Sequence, residues 1–178
     1  KYMDISDYGY GVSLLNDCKY GYNVDNGTMK LSLFKCATHP DPDADKGEHV
    51  FTYSLFPHAG NYRDAGTVQL AYEINNPLKA SLIDKQNGTL PEGYSFVSCD
   101  KDNFIVETVK KAENSDDIIV RVYESYNKGT CVTLNFGFDV KEAILCDLLE
   151  RDVEKLTVEN NSVSFKAKPF EIITIKVK

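Results

Sequence analysis

The first feature of the sequence that could do chemistry is the polar turn Asn16-Asp17-Cys18-Lys19, which interrupts an otherwise apolar stretch. Residues 12–15 before it read as a buried strand, and Tyr20 follows it. The turn would therefore place an amide, a carboxylate, an amine and a phenol at the rim of a sheet, where such groups can hydrogen-bond the hydroxyls of a sugar. The candidate binding residues are Asn16, Asp17, Lys19 and Tyr20. In the alternative interpretation, Asp17 only accepts hydrogen bonds from backbone N–H groups near the turn.

The residues do not define a catalytic set. Glycosidases use two carboxyl groups that flank the bond to be cleaved, and the 27 acidic residues of this chain include no pair in a diagnostic motif. The sequence also lacks the glycine-rich motifs of nucleotide-binding proteins and the G-x-S-x-G motif of serine hydrolases. We therefore assign no catalytic residue.

Two other groups of residues suggest metal ligands only at first sight. Residues 41–49 begin like an EF-hand calcium loop, but Lys46 occupies the position that requires glycine, and Thr52 the position of the bidentate glutamate. The histidines, His39, His49 and His58, are spaced too widely for a local zinc motif. We predict no metal ligands here, a solvated acidic loop, and a capping or packing role for His58.

The composition limits the classes of function. The net charge is −7 and no cluster of basic residues is visible, which argues against a nucleic-acid partner. No apolar run approaches the roughly 20 residues that cross a bilayer, so we expect no membrane partner. The five cysteines form no closely spaced pair, which favours free, mostly buried thiols in a reducing compartment and a cytoplasmic protein. The N-x-S/T sequons are better explained as turns, and their glycosylation stays open; they lie at Asn26, Asn87 and Asn160.

The elements that position these residues are predicted to be mostly β-strands. Short apolar stretches recur at regular spacing between turn signals, which is typical of an antiparallel β-sandwich. One short helix is predicted near residues 63–75, because Asn75-Asn76-Pro77 is a stop signal. Four tyrosines are expected to pack within strands, although tyrosine is also a usual sugar platform; they are Tyr8, Tyr10, Tyr20 and Tyr22. The predicted strands are 12–15, 18–24, 28–34, 49–56, 80–84, 96–99, 104–110, 118–125, 131–138, 143–147, 162–166 and 171–178.

Seven blocks of sequence, in order along the chain, resemble patterns typical of the α-mannosidases of glycoside hydrolase family 38. The first, G-V-S-L-L-N-D-C-K-Y-G-Y at residues 11–22, contains the polar turn. Each block alone is a weak signal, but together they are specific. The others are M-K-L-S-L-F at 29–34, P-D-P-D-A-D-K-G-E-H at 40–49, F-T-Y-S-L-F-P-H at 51–58, A-Y-E-I-N-N-P-L at 71–78, V-R-V-Y-E-S at 120–125 and K-P-F-E-I at 168–172.

The resemblance implies a fold and a role. Residues 1–88 would form the end of a large β-supersandwich and residues 89–178 a small C-terminal β-sandwich, with a boundary in the Gly- and Pro-containing segment 85–94. In such enzymes an N-terminal α/β domain holds the zinc ion and the catalytic carboxylates, so we expect no cofactor and no activity in this chain alone. The parent enzyme would hydrolyse terminal α-mannosides with retention, and its partners would be mannose-containing glycans and the N-terminal catalytic domain.

In that family the supersandwich also contributes a rim to the active site, and the turn at residues 16–19 is the matching position. Related enzymes often have an Asp-Arg turn there, and Cys18 stands in place of the arginine. Lys19 could supply the cation instead, but an ammonium lacks the fork of a guanidinium. A different class of function remains open, a free-standing carbohydrate-binding or scaffold β-domain. Because a partial sheet leaves strand edges uncovered, we also expect copies of the chain to form a homo-oligomer.

Overall fold

The computed structural model describes residues 1–178 and divides them into two compact units, Lys1–Leu82 and Ile83–Lys178. Fourteen strands and one short helix form the chain, and every strand pair is antiparallel. This confirms the predicted mainly β, antiparallel fold with a single short helix. The helix has nine residues, and no helix of the chain is long and apolar enough to cross a membrane.

The first unit contains a three-stranded sheet, a separate two-stranded hairpin and the helix. The sheet has the order β1-β2-β5, and β3 pairs only with β4. The helix packs on the central strand β2 through its buried residues Thr67, Val68 and Ala71. The elements are β1 Tyr2–Ser6, β2 Tyr10–Asn16, β3 Tyr22–Asp25, β4 Thr28–Leu31, β5 Tyr53–Ala59 and α1 Thr67–Asn75.

Most predicted elements of this unit have other bounds in the structure; strands predicted at 18–24 and 28–34 are observed as Tyr22–Asp25 and Thr28–Leu31. Strand β5 continues through Pro57, where the prediction ended it, because β5 is an edge strand and an edge position tolerates the missing N–H. The helix starts only at Thr67, since residues 62–66 form turns and Gly66 has a left-handed φ of 67°. The strand predicted at residues 80–84 is absent, and its apolar residues Leu82 and Ile83 are exposed.

The second unit is a β-sandwich of two sheets. One sheet has the order β11-β10-β14-β8-β7 and the other β12-β13-β9-β6. Side chains from both sheets form one core, in which Val120, Ile175, Leu134 and Val163 are completely buried. The strands are β6 Val97–Cys99, β7 Phe104–Lys111, β8 Ile118–Glu124, β9 Thr130–Phe136, β10 Ala143–Cys146, β11 Asp152–Leu156, β12 Val158–Glu159, β13 Ser162–Ala167 and β14 Ile172–Val177.

Side chains alternate between the two faces of the last strand, β14, so that one of its faces contributes to this core. On β14 the side chains of Ile173, Ile175 and Val177 are buried, as a period of two requires. On the opposite face, Ile172 is exposed to solvent, but Thr174 is only 1% exposed. Arg121 on the neighbouring strand covers Thr174 and donates a hydrogen bond from Nε to its Oγ1 at 3.0 Å. The long arginine side chain therefore extends the buried region past the hydrophobic core.

Candidate functional site

The candidate turn lies at the end of β2, and Asn16 anchors it from the inside. Asn16 is 2% exposed. Its side-chain Oδ1 accepts a hydrogen bond from the Lys19 backbone N–H at 2.7 Å, and its backbone carbonyl accepts one from Asn75 Nδ2 at 3.1 Å. The side chain therefore shapes the turn and does not face solvent, whereas the backbone carbonyl ties the turn to the end of α1.

Asp17 joins the turn to the segment that leads into β5. Its Oδ2 accepts a hydrogen bond from the Thr52 backbone N–H at 2.9 Å, and its own N–H donates to the Thr52 carbonyl at 3.2 Å. The other oxygen, Oδ1, is buried and has no hydrogen-bond partner in the chain. The Cys18 thiol beside the carboxylate and the Thr52 amide lower the pKa of Asp17, while the carboxylate raises the pKa of the Cys18 thiol. Asp17 is thus an anion that the turn and the Thr52 backbone hold in place.

The two remaining candidates differ in how firmly they are held. The Nζ atom of Lys19 lies 4.8 Å from the centroid of the Phe51 ring, a cation–π arrangement. The side chain of Tyr20 is 83% exposed. The structure therefore gathers Asn16, Asp17 and Lys19 around one turn, and it places Tyr20 next to them on the surface.

The early tyrosines do not pack inside strands, so that prediction is wrong. All four are exposed, and Tyr8 is completely so. The prediction failed because a period of two shows that residues share a face but not whether anything covers that face. Their alternative role as platforms for a sugar stays a prediction.

A buried polar cluster between the three-stranded sheet and α1 was not predicted as a group. Asp4, Ser13, His58 and Thr67 come from β1, β2, β5 and α1, and the last three are at most 8% exposed. Ser13 Oγ lies 2.6 Å from Asp4 Oδ2, 2.8 Å from Thr67 Oγ1 and 3.2 Å from His58 Nε2. His58 Nε2 is 2.8 Å from Asp4 Oδ2. We name these four residues the polar cluster.

The geometry of the polar cluster excludes a nucleophilic serine. Ser13 donates its hydroxyl proton to Asp4 and is completely buried, so no substrate can reach its Oγ. Burial opposes the charge of Asp4, but hydrogen bonds from Ser13, Ser6 and His58 outweigh it and lower the pKa of Asp4. The cluster therefore binds β1, β2, β5 and α1 together. The signal that could have found it is Gly11, the glycine paired with His58 across the sheet.

The acidic loop that begins like a calcium site uses its carboxylates internally. Asp41 Oδ1 accepts from the Asp43 N–H at 2.9 Å, Asp43 pairs with Lys46, and Asp45 Oδ2 accepts from the Cys36 N–H at 2.5 Å. No group of three or more His, Cys, Asp or Glu side chains in the chain could hold a metal ion. The residues present therefore do not fit a zinc ion.

Comparisons with known families define the class of protein first. Residues 103–175 match the model described as "Glycosyl hydrolases family 38 C-terminal beta sandwich domain". Residues 1–43 match the model described as "Glycosyl hydrolases family 38 C-terminal domain". The two units are therefore C-terminal β-regions of a glycoside hydrolase.

Individual relatives agree with these models. The chain is similar to Alpha-mannosidase 2C1 of Homo sapiens, with 38% identity over 98% of this chain, and to Alpha-mannosidase G of Dictyostelium discoideum, with 37% identity over 99%. An alpha-mannosidase of Saccharomyces cerevisiae is 34% identical over 99% of the chain. The chain belongs to the C-terminal region of glycosyl hydrolase family 38, which confirms the resemblance.

The match covers only part of those proteins. The chain spans 17% of the length of the human and Dictyostelium relatives. A solved structure described as an alpha-mannosidase from Enterococcus faecalis has the same fold over 99% of this chain and 20% of its own, with a TM-score of 0.78 and 21% identity. At that identity the likeness concerns the fold alone.

Proposed function

We propose that the chain is the non-catalytic C-terminal β-region of an α-mannosidase, a parent enzyme that hydrolyses terminal α-mannosides with retention. One observation carries the proposal. Proteins named alpha-mannosidases match almost the whole chain at 34–38% identity. Both family models also occur in order along it.

In this proposal the active site belongs to an α/β domain outside this chain, which holds the zinc ion and the catalytic carboxylates. The chain then contributes structure and a rim. Residues 1–88 serve as the end of the β-supersandwich, and residues 89–178 as the small terminal sandwich.

The rim is the turn of Asn16, Asp17, Lys19 and Tyr20. Asp17 would accept a hydrogen bond from a sugar hydroxyl through Oδ2, which also accepts the Thr52 N–H, because Oδ1 is buried; such a charge-assisted bond is of the stronger kind. Lys19 would donate from its ammonium, which the Phe51 ring holds in place. Asn16 would orient the turn without touching the sugar, and the exposed ring of Tyr20 would cover an apolar face of the sugar.

We assign the parent enzyme to the cytoplasm. Its substrates in this proposal are mannose-containing glycans. All five cysteines are unpaired, which fits a reducing compartment. The prediction that most of them are buried is wrong, because only Cys146 is buried and three of the five are exposed. The N-terminal catalytic domain would cover apolar side chains that the first unit leaves exposed, among them Val24, Phe34, Val50 and Leu55.

Hydrolysis of an aryl α-mannoside tests the proposal. The full-length parent and the purified 178-residue chain are assayed side by side. We expect turnover by the parent and none above background by the chain, because the chain holds no catalytic set. Turnover by the chain alone, or a parent that does not cleave α-mannosides, would contradict the proposal.

A further inference from the structure

We infer that the first unit carries a binding cleft for a neutral hexoside at the end of β2 opposite the Asn16–Lys19 turn. The cleft has a volume of about 380 Å³, which lies within the roughly 300–1,000 Å³ of small-molecule sites. The identity of the sugar as an α-mannoside rests on the proposed function. Ser6, Asp7, Tyr8, Asn61, Tyr62 and Arg63 line the cleft.

Two loops that are tied together build the cleft. The loop of residues 7–9 joins β1 to β2, and residues 60–66 lead into α1. The Gly60 N–H donates to the Gly9 carbonyl at 3.1 Å, so the loops keep their separation. Strand β2 has seven residues, and its rise of about 3.3 Å per residue puts the cleft roughly 20 Å from the Asn16–Lys19 turn.

The aromatic side chains supply a surface of the kind that sugars stack on. Tyr8 is fully exposed and so does not stabilise the folded chain by burial. The ring of Tyr62 lies 6.1 Å from the Tyr2 ring, and the Arg63 guanidinium lies 5.0 Å from the centroid of Tyr62. Tyrosine combines an apolar ring for the C–H face of a pyranose with a hydroxyl for its polar edge.

Hydrogen bonds fix the polar side chains of the cleft and leave some of their donor and acceptor atoms for a ligand. Asp7 Oδ1 accepts from the N–H groups of Gly9 and Tyr10 at 2.7 and 2.8 Å, and these bonds do not use Oδ2. They also lower the pKa of Asp7, so it is an anion at neutral pH. Arg63 uses Nε to reach the Tyr62 hydroxyl at 3.1 Å, a bond that does not involve its two terminal nitrogens.

The charges of the cleft select a neutral ligand. One carboxylate acceptor and one guanidinium donor match neighbouring sugar hydroxyls, each of which both donates and accepts. A phosphate or sulfate would meet the Asp7 carboxylate, so the cleft disfavours anions.

A titration of the 178-residue chain in dilute solution with methyl α-mannoside, followed by amide NMR, tests the inference. We expect shifts at residues 7–10 and 60–63 and none with inorganic phosphate. Tyr8→Ala should weaken binding about tenfold, the effect of losing one stacked ring and its hydroxyl contact. Arg63→Lys should weaken it severalfold, because the fork is lost. The matched control Phe170→Ala, which removes an exposed aromatic ring in the second unit, should leave binding at the cleft unchanged.

Two results would overturn the inference. One is the absence of shifts at residues 7–10 and 60–63 up to about 50 mM mannoside, well above the roughly millimolar affinity expected of a small polar ligand. The other is an affinity that Tyr8→Ala leaves intact. Either failure would leave the proposed function standing, since that function is tested separately by hydrolysis in the parent enzyme.

Discussion

Gly11 and His58 are cross-strand partners on β2 and β5, and the imidazole occupies the space that a side chain at position 11 would need. A Cβ atom at Gly11 would lie 2.3 Å from His58 Cε1 and 2.5 Å from Ser6 Cβ. Because the glycine leaves this space open, His58 reaches Asp4 with its Nε2 and joins the polar cluster. The cluster is therefore made possible by a residue that contributes no side chain.

Replacement of Gly11 by alanine should lower the free energy of unfolding by about 1–3 kcal/mol, the usual cost of overpacking a close contact. Urea denaturation of the chain measures it. Gly9→Ala is the control, because a Cβ there would meet only Asp7 Oδ1, at 3.5 Å, and should change stability by less than about 0.5 kcal/mol. Equal effects of the two substitutions would refute the role given to the Gly11–His58 pair.

In the second unit the fully buried Glu124 also links separate segments of the chain through hydrogen bonds, as the polar cluster does in the first unit. Its Oε1 accepts from Asn103 Nδ2 and the Tyr126 N–H, both at 2.8 Å, and its Oε2 accepts from the Phe170 N–H at 2.9 Å. Glu124→Gln should cost about 2–3 kcal/mol at neutral pH, since hydrogen bonds to a charged group are lost and one amide N–H faces a donor. The exposed Glu154→Gln is the control and should stay within about 0.5 kcal/mol.

The loss caused by Glu124→Gln should depend on pH. Burial opposes the charge of Glu124, but the amides of Phe170, Asn103 and Tyr126 outweigh it and hold its pKa below the usual 4.5. A lowered pKa stabilises the folded state above pH 4.5, and that contribution disappears as pH falls through the lower folded-state pKa. Urea denaturation at successive pH values should show the wild-type advantage shrink below pH 4.5. An advantage that stays constant down to low pH would contradict this account.

Copies of the isolated chain should associate through the uncovered edge of β5. That strand pairs on one side only and exposes Leu55, whose side chain is 64% accessible. Light scattering should show a mass that rises with concentration. Leu55→Lys should reduce the rise, because a charge blocks edge pairing, whereas Leu90→Lys, at an equally exposed leucine outside any strand, should not. A monomer at every concentration would contradict the prediction.

Local patterns were sufficient for most of the second unit and much less for the first. A strand was predicted at residues 171–178, and the structure has β14 there with Ile173, Ile175 and Val177 buried. Strand β11, Asp152–Leu156, was missed because it is an edge strand whose residues are mostly exposed, so no apolar face marks it. Leu82 and Ile83 suggested a strand, but no neighbouring strand pairs with them.

The contacts of the buried polar groups could not be predicted from the sequence, because their partners lie far apart along the chain. His58 was expected to cap or pack, yet its partner Asp4 is 54 residues away, and only the pairing of β1, β2 and β5 brings them together. Glu124 stood in a recognised block, but its contact with Phe170 spans 46 residues. The turn at residues 16–19 was predicted as a unit, and its role as a sugar rim stays a prediction.

The kcat/KM of the full-length parent for an α-mannoside, measured with Asp17→Asn, tests most directly the claim that this chain rims an active site. The asparagine can still accept the Thr52 N–H through its amide oxygen, so folding is preserved, but the charge is lost. We predict a loss of about tenfold to a hundredfold, the effect of one hydrogen bond to a charged group, with an unchanged melting temperature. Asp25→Asn in the exposed hairpin is the control and should keep full activity. A parent that loses nothing with Asp17→Asn would contradict the claim.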